Sequence, residues 1–162
     1  MGRTADYSNE ACTVAAALSV VGDPWTLLIL RDAFAGSQRF EQWQAGLGVA
    51  RNVLAARLKT LVAHGVLTTR LYSEHPPRRE YILTPKGRDL LPVLLSLHAW
   101  GERHVYGAET APTRFIHTKC DKPLSPALIC DCCGEKVQSR DLRPMKAEDP
   151  KKTVREALAA HA

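Results

Sequence analysis

The sequence has no apolar run near the ~20 residues that a membrane-spanning helix requires. Its opening stretch, "MGRTADYSNE", is polar throughout and lacks the basic, apolar and small-residue succession of a secretory leader. These two absences predict a cytoplasmic protein with no membrane partner. Catalytic signatures are missing as well. There is no H-E-x-x-H, no G-x-S-x-G and no G-x-x-x-x-G-K-[ST], and the cysteine-rich stretch lacks the H-x-E of zinc deaminases. An enzyme, here a zinc enzyme, is therefore the minority reading. Disorder and fibrous repeats are excluded by the balance of 45% hydrophobic and 24% charged residues. At 162 residues the chain has room for one domain with a sizeable core and an appendage.

What is present in excess is positive charge, and it is localised. Residues 51–88 carry eight basic side chains against Glu74 and Glu80, a net +6, whereas the whole chain has +5. The rest of the chain thus sums to −1. A basic stripe confined to one structural unit is the electrostatic footprint of a polyanion-binding surface.

Periodicity and capping residues predict the elements. "ACTVAAALSVV", Ala11 to Val21, reads as a helix ending at Gly22. Asp23 and Pro24 then open a strongly apolar second helix, "WTLLILRDAFA", closed by Gly36. A short third helix spans Phe40 to Ala45. In "ARNVLAARLKTLVAHG", Leu54, Leu58, Leu61 and Val62 recur at the spacing of one buried stripe. The opposite face carries Asn52, Ala55, Ala56, Lys59 and Ala63. A small, polar and basic face of this kind suits a helix that reads base edges in a groove, because bulky apolar or acidic residues would block or repel the approach. Two β segments follow, Val66 to Tyr72 and Arg79 to Leu83, around "SEHPPR", whose prolines should stop the strands at the tip. A last helix, capped by Thr84 and Pro85, holds Leu90, Leu91, Leu94, Leu95 and Leu97, with its first turns loosened by Gly87 and Pro92. It is apolar over too much of its circumference for one small domain to cover, which predicts a partner chain.

This order predicts a mainly α fold with a small β wing, a winged helix-turn-helix domain. On "CTVAAALSVVGDPWTLLILRDAFAGSQRF", "VLAARLKTLVAHGVLTTRLYSEHPPRREYILTPKGRDLLPVLLSLHAWG" and the amino-terminal Cys12, the sequence resembles the HxlR-type bacterial transcription regulators over about residues 10 to 107. The resemblance implies a homodimer whose first and last helices form the interface and whose wings and recognition helices straddle a palindromic DNA operator. It also implies a role for Arg57, either phosphate contact or a salt bridge to Asp32 or Glu41, and a redox- or electrophile-sensing role for Cys12. Cys12 sits about three residues into the first helix, where unpaired N–H groups and the helix dipole favour a thiolate; the alternative is a small side chain packed at the interface.

Arg51 and Asn52 lie at the first turn of the fourth helix and Lys59 on its exposed face, where helix-turn-helix proteins contact DNA. Arg78 and Arg79 beside the wing turn are candidates for phosphate or minor-groove contact. Trp25, Leu28 and Trp100 at helical spacing read as core rather than as a small-molecule effector pocket. A winged-helix protein–protein adaptor without specific DNA binding remains the alternative to a regulator.

The organisation is then residues 8–107 as the DNA-binding and dimerisation domain, 114–143 as a short zinc-ribbon-like C-terminal extension, and 144–162 as a polar, mobile tail with a short helix near its end. In "RFIHTKCDKPLSPALICDCCGEK", His117, Cys120, Cys130 and Cys133 have the spacing of four ligands to one tetrahedral zinc. Clustered cysteines in a reducing compartment favour metal or redox chemistry over disulfides. Gly134 would permit the tight turn. Cys132 is left over and could replace one ligand, His117 could stand outside the set, or all the thiols could be free.

Overall fold

A computed structural model describes residues 6–107, 109–145 and 152–160. They divide into two compact units, residues 6–90 with 152–160, and residues 91–145.

In the first unit, α1 (Thr13–Val21), α2 (Pro24–Phe34), α3 (Phe40–Leu47) and α4 (Arg51–Ala63) precede an antiparallel hairpin, β1 (Leu67–Glu74) and β2 (Pro77–Leu83), and a single turn, α5 (Pro85–Arg88). The Asp23 carboxylate starts α2 by accepting the Trp25 N–H at 3.0 Å, with Pro24 at the first helical position. The Gln42 side chain starts α3 by accepting the Gln38 and Arg39 N–H groups, both at 2.8 Å. Gly48 ends it in the left-handed conformation, φ 63°. Ile29 and Leu30 of α2, Trp43 of α3, and Leu54, Leu58 and Leu61 of α4 are fully buried, and Val66 and Leu67 at the start of the hairpin complete the core. The buried Trp43 indole donates to the Ile29 carbonyl at 3.0 Å and meets Tyr81 of β2 edge-on at 5.9 Å. One side chain thus ties the helices to the wing while its polar atom stays satisfied.

Several boundaries differ from expectation. The first helix begins at Thr13, because Cys12 has an extended backbone (φ −140°, ψ 123°) and occupies the cap position. The strands run closer to the turn than the prolines suggested. Pro77 is the first residue of β2, where a missing N–H is tolerated, and a bulge between Leu71 and Ser73 adjusts the register. The single last helix expected after Thr84 is broken. Thr84 does cap α5 by accepting the Gly87 N–H at 3.0 Å. Pro92 lacks an N–H and its ring excludes the carbonyl of Arg88 from a helical turn, so α5 stops there. Gly87 cannot be replaced cheaply: a Cβ would lie 2.2 Å from the Val66 carbonyl oxygen.

The second unit begins with α6 (Leu91–Gly101), continued by a wider π-type turn over Glu102–Tyr106. None of its residues is buried. Leu28 and Trp100, expected in the core, are instead 36% and 57% exposed, because Leu28 faces outward from α2 and this chain leaves Trp100 uncovered. Downstream, β3 (Ile116–His117) pairs with β4 (Lys122–Pro123), and an isolated bridge joins Ile129 to Lys136.

The chain then returns to the first unit as α7 (Val154–Ala159). The expected mobile tail over 144–162 is corrected at 152–160: Val154 is buried, its N–H donates to the Glu10 carbonyl at 2.8 Å, and the Arg155 N–H donates to that of Ser8 at 3.1 Å. A capping box between Thr153 and Glu156 starts this helix. Residues 146–151 and 161–162 of that tail lie outside the described residues.

Candidate nucleic-acid interface

The buried stripe of α4 fixes which of its side chains face outward. With Leu54, Leu58 and Leu61 locked against α2 and α3, Asn52, Ala55, Ala56, Lys59 and Ala63 are exposed together on the far side. This face is small and basic, and no acidic residue lies on α4. The helix-turn-helix pair is α3 and α4, joined by "GVA" with Val49 buried beneath the turn.

Arg51, at the first position of α4, is exposed but not free. Its guanidinium donates to the Gln44 side-chain oxygen at 3.1 Å and stacks on Phe40 at 4.7 Å, so it is held toward α3. Arg57 is drawn the other way. It pairs with Asp23 at 2.8 Å, which corrects the expected partners Asp32 and Glu41; Asp32 instead binds Arg31 at 2.7 Å. Asp23 is nearer because the stripe margin of α4 faces the start of α2. The Arg57 Nε is buried without a hydrogen-bond partner among the described residues.

On the wing, Arg78 and Arg79 are exposed opposite Ser73 and Leu71. Arg79 also reaches the Thr69 hydroxyl at 3.3 Å. Arg70 pairs with the buried Glu80 at 2.5 Å, so one charge of the basic stripe is neutralised inside the hairpin. Missing from the sequence reading was Arg39, which lies over the Tyr72 ring of β1 at 4.5 Å and adds a cation beside the wing. Its signal is three-dimensional, since nothing in the local pattern around Arg39 points to Tyr72.

A groove of about 1050 Å³ opens in the same unit. Trp25, Asp23, Val53, Arg57 and Thr60 line one part of it and Val154, Arg155 and Leu158 of α7 another. Cys12 is an exposed free thiol at the cap of α1, and its side chain makes no capping hydrogen bond.

The family profile described as HxlR-like helix-turn-helix matches residues 20–109. The chain belongs to that family. An HTH-type transcriptional regulator of Mycobacterium bovis is 42% identical over 135 residues, which is 83% of this chain and 85% of the relative. The crystal structure of PA1607, a transcription-factor candidate, is similar with a TM-score of 0.77 and 36% identity, covering 87% of this chain and 99% of that one. The redox regulator HypR in its reduced form gives a TM-score of 0.54 and 30% identity over 58% of this chain and 96% of that one. This HxlR-family chain is accordingly a helix-turn-helix transcription regulator and not an enzyme, and DNA binding is what its family implies. No single helix among the described residues is long and apolar enough to cross a membrane.

The expected metal ligands fall into two pairs. His117 Nδ1 and Cys120 Sγ are 3.3 Å apart. Cys130 lies against Cys133, and backbone N–H groups of Cys133 and Cys132 hold the Cys130 thiol below the usual thiol range. Among the described residues no three His, Cys, Asp or Glu side chains are already grouped about one point.

Proposed function

We propose that the protein is a cytoplasmic homodimer that binds an imperfect palindromic operator, placing α4 of each protomer in the major groove and each wing against the flanking backbone. The observation that carries this reading is the joint exposure of Lys59 and Asn52 on the small face of α4 with Arg78 and Arg79 on the wing of the same unit. Arg51, braced by Gln44, would present its cation at the start of the reading helix, and Arg57 would act by fixing the angle of α4 on α2. Dimerisation is supported by apolar surface that this chain leaves uncovered: Val14 and Leu18 on α1, and Val93, Leu97 and Trp100 on α6. Two α4 helices should then lie about 34 to 36 Å apart, one turn of B-DNA.

Fluorescence anisotropy with duplexes from the protein's own promoter region tests this reading. Lys59→Ala and Arg78→Ala should each weaken binding and reduce the slope of log K against log salt by about 0.9, the contribution of one phosphate contact. Unchanged affinity in both variants would leave the adaptor reading. A monomer in sedimentation at micromolar concentration would remove the dimer.

Cys12 extends the proposal to regulation. An exposed thiol at the start of α1, next to the uncovered Val14, is placed where a covalent bond between protomers would change the spacing of the two reading heads. The redox regulators among the similar structures support such a role. A small-molecule effector has room in the groove beside Arg57.

A further inference from the structure

We propose that residues 116–136 form one structural zinc site, in which two equivalent turns each supply two ligands: His117 with Cys120, and Cys130 with Cys133. The equivalence is in the backbone. In the first turn the N–H of Asp121 donates to the His117 carbonyl at 2.9 Å, and Asp121 adopts the left-handed conformation at φ 53°. In the second, the N–H of Gly134 donates to the Cys130 carbonyl at 2.8 Å, and Gly134 adopts φ 73°. Each turn is closed by a short antiparallel pairing, His117 with Lys122 and Ile129 with Lys136. First ligand, second ligand three residues on, left-handed residue after it: the order is the same twice in twenty residues.

Asp121 stands where Gly134 stands in the other turn, and it is the one non-glycine with positive φ among the described residues. A left-handed conformation is unusual for a side-chain-bearing residue and is most tolerated by Asn and Asp. Its effect here is to turn the chain after Cys120 back, so that Lys122 pairs with His117. The His117 ring nitrogen and the Cys120 sulfur are 3.3 Å apart, close to the roughly 3.5 Å that tetrahedral geometry gives two ligands at Zn–N ~2.0 Å and Zn–S ~2.3 Å.

The same equivalence excludes Cys132, which lies at neither ligand position. Its backbone N–H, like that of Cys133, is directed to the Cys130 sulfur.

Burial cannot hold this segment together. Phe115, Ile116, Leu124, Leu128 and Ile129 are all 39–70% exposed, and Cys130 is only half-buried. A small fold without a core needs a clip, and metal binding supplies folding free energy directly. The donor set of one imidazole and three thiolates selects zinc over magnesium or calcium, and four protein ligands close the shell, so the ion is structural. Because the two pairs are not already grouped about one point, the ion would draw the turns together. On binding, His117 coordinates as neutral imidazole, and Cys120, Cys130 and Cys133 each release one proton to solvent. At its leading end the segment is fastened to α6 and the π-type turn that continues it: Arg114 pairs with Glu102 of the turn at 3.4 Å, and His98 of α6 contacts the Thr113 carbonyl at 3.0 Å and the Phe115 ring at 4.7 Å.

The full chain, purified without a histidine tag and stripped under reducing conditions, is titrated with zinc and separately with cobalt(II). The proposal expects one zinc per chain and an intense tetrahedral cobalt spectrum with sulfur-to-metal charge transfer. Cys120→Ser and Cys133→Ser should lower metal affinity at least a hundredfold, and Cys132→Ser should keep the wild-type spectrum. Far-ultraviolet circular dichroism on the same variants shows that the helical unit remains folded. An octahedral cobalt spectrum, no binding above background, or loss of the site in Cys132→Ser with retention in Cys133→Ser would each overturn the assignment. None of these readouts involves DNA, so the site and the operator reading stand or fall separately.

Discussion

The Arg57 guanidinium lies 2.8 Å from the Asp23 carboxylate, joining the margin of the reading helix α4 to the cap of α2. Asp23 has two duties at once, since its other oxygen accepts the Trp25 N–H at 3.0 Å. Removing Arg57 ends one partly exposed ion pair, worth about 0.2–1 kcal/mol. Removing Asp23 also uncaps α2, which costs about 1 kcal/mol more. In urea unfolding Asp23→Ala should therefore be the less stable variant by about 1 kcal/mol. The opposite order would show that the cap contributes little and that the arginine contact dominates.

Trp43 should be the most sensitive single position of the core. Trp43→Ala would lose a fully buried indole and cost about 3–5 kcal/mol. Trp43→Phe keeps most of the apolar volume but loses the indole hydrogen bond to the Ile29 carbonyl, which still accepts within α2, at about 0.5–1.5 kcal/mol. Equilibrium denaturation of both variants checks the ranking, and an unaffected Trp43→Phe would mean that the hydrogen bond is absent in solution.

Gly87→Ala tests packing where the backbone has no room. The new methyl would meet the Val66 carbonyl oxygen at 2.2 Å, so the hairpin or α5 must shift, at a cost of about 1–3 kcal/mol or more. A melting temperature within a degree of wild type would contradict that contact.

Glu156 makes a pH prediction for the docked C-terminal helix. The Thr153 N–H, and then its hydroxyl, hold this carboxyl below the usual glutamate value. A depressed folded pKa means that the contribution is complete above the ordinary glutamate pKa and is lost as pH falls through the lower folded value. The Thr153 amide proton, followed by NMR from pH 6 to about pH 2.5, should titrate with a midpoint below the model-peptide value of ~4.3. A midpoint at or above it would show that the capping box does not persist.

Oxidation addresses Cys12. Diamide should change the operator affinity of wild type and leave that of Cys12→Ser unaffected, measured by anisotropy at fixed salt. An equal change in both would move the sensor elsewhere.

The order of elements from α1 through the wing, the stripe Leu54–Leu58–Leu61 and the caps Asp23–Pro24 and Thr84–Pro85 were legible in the sequence, because each depends on spacing or on residues within a turn of one another. So was the face of α4 that holds Lys59: once the apolar stripe is placed, helical geometry leaves the opposite side no other position. Tertiary structure alone decided where the long side chains end. Arg57 goes to Asp23, Arg51 to Gln44 and Phe40, Arg39 to Tyr72, and Arg70 to Glu80. A flexible cation has several partners within reach, and which one it meets depends on how the elements pack. The start of α1 beyond Cys12 and the return of α7 to Ser8 and Glu10 belong to the same class. A segment as short as 152–160, with Val154 and Leu158 as its one pair of large apolar residues at helical spacing, has no periodic stripe long enough to announce burial. Its one buried anchor, Val154, acquires that role only from the helix it lands on.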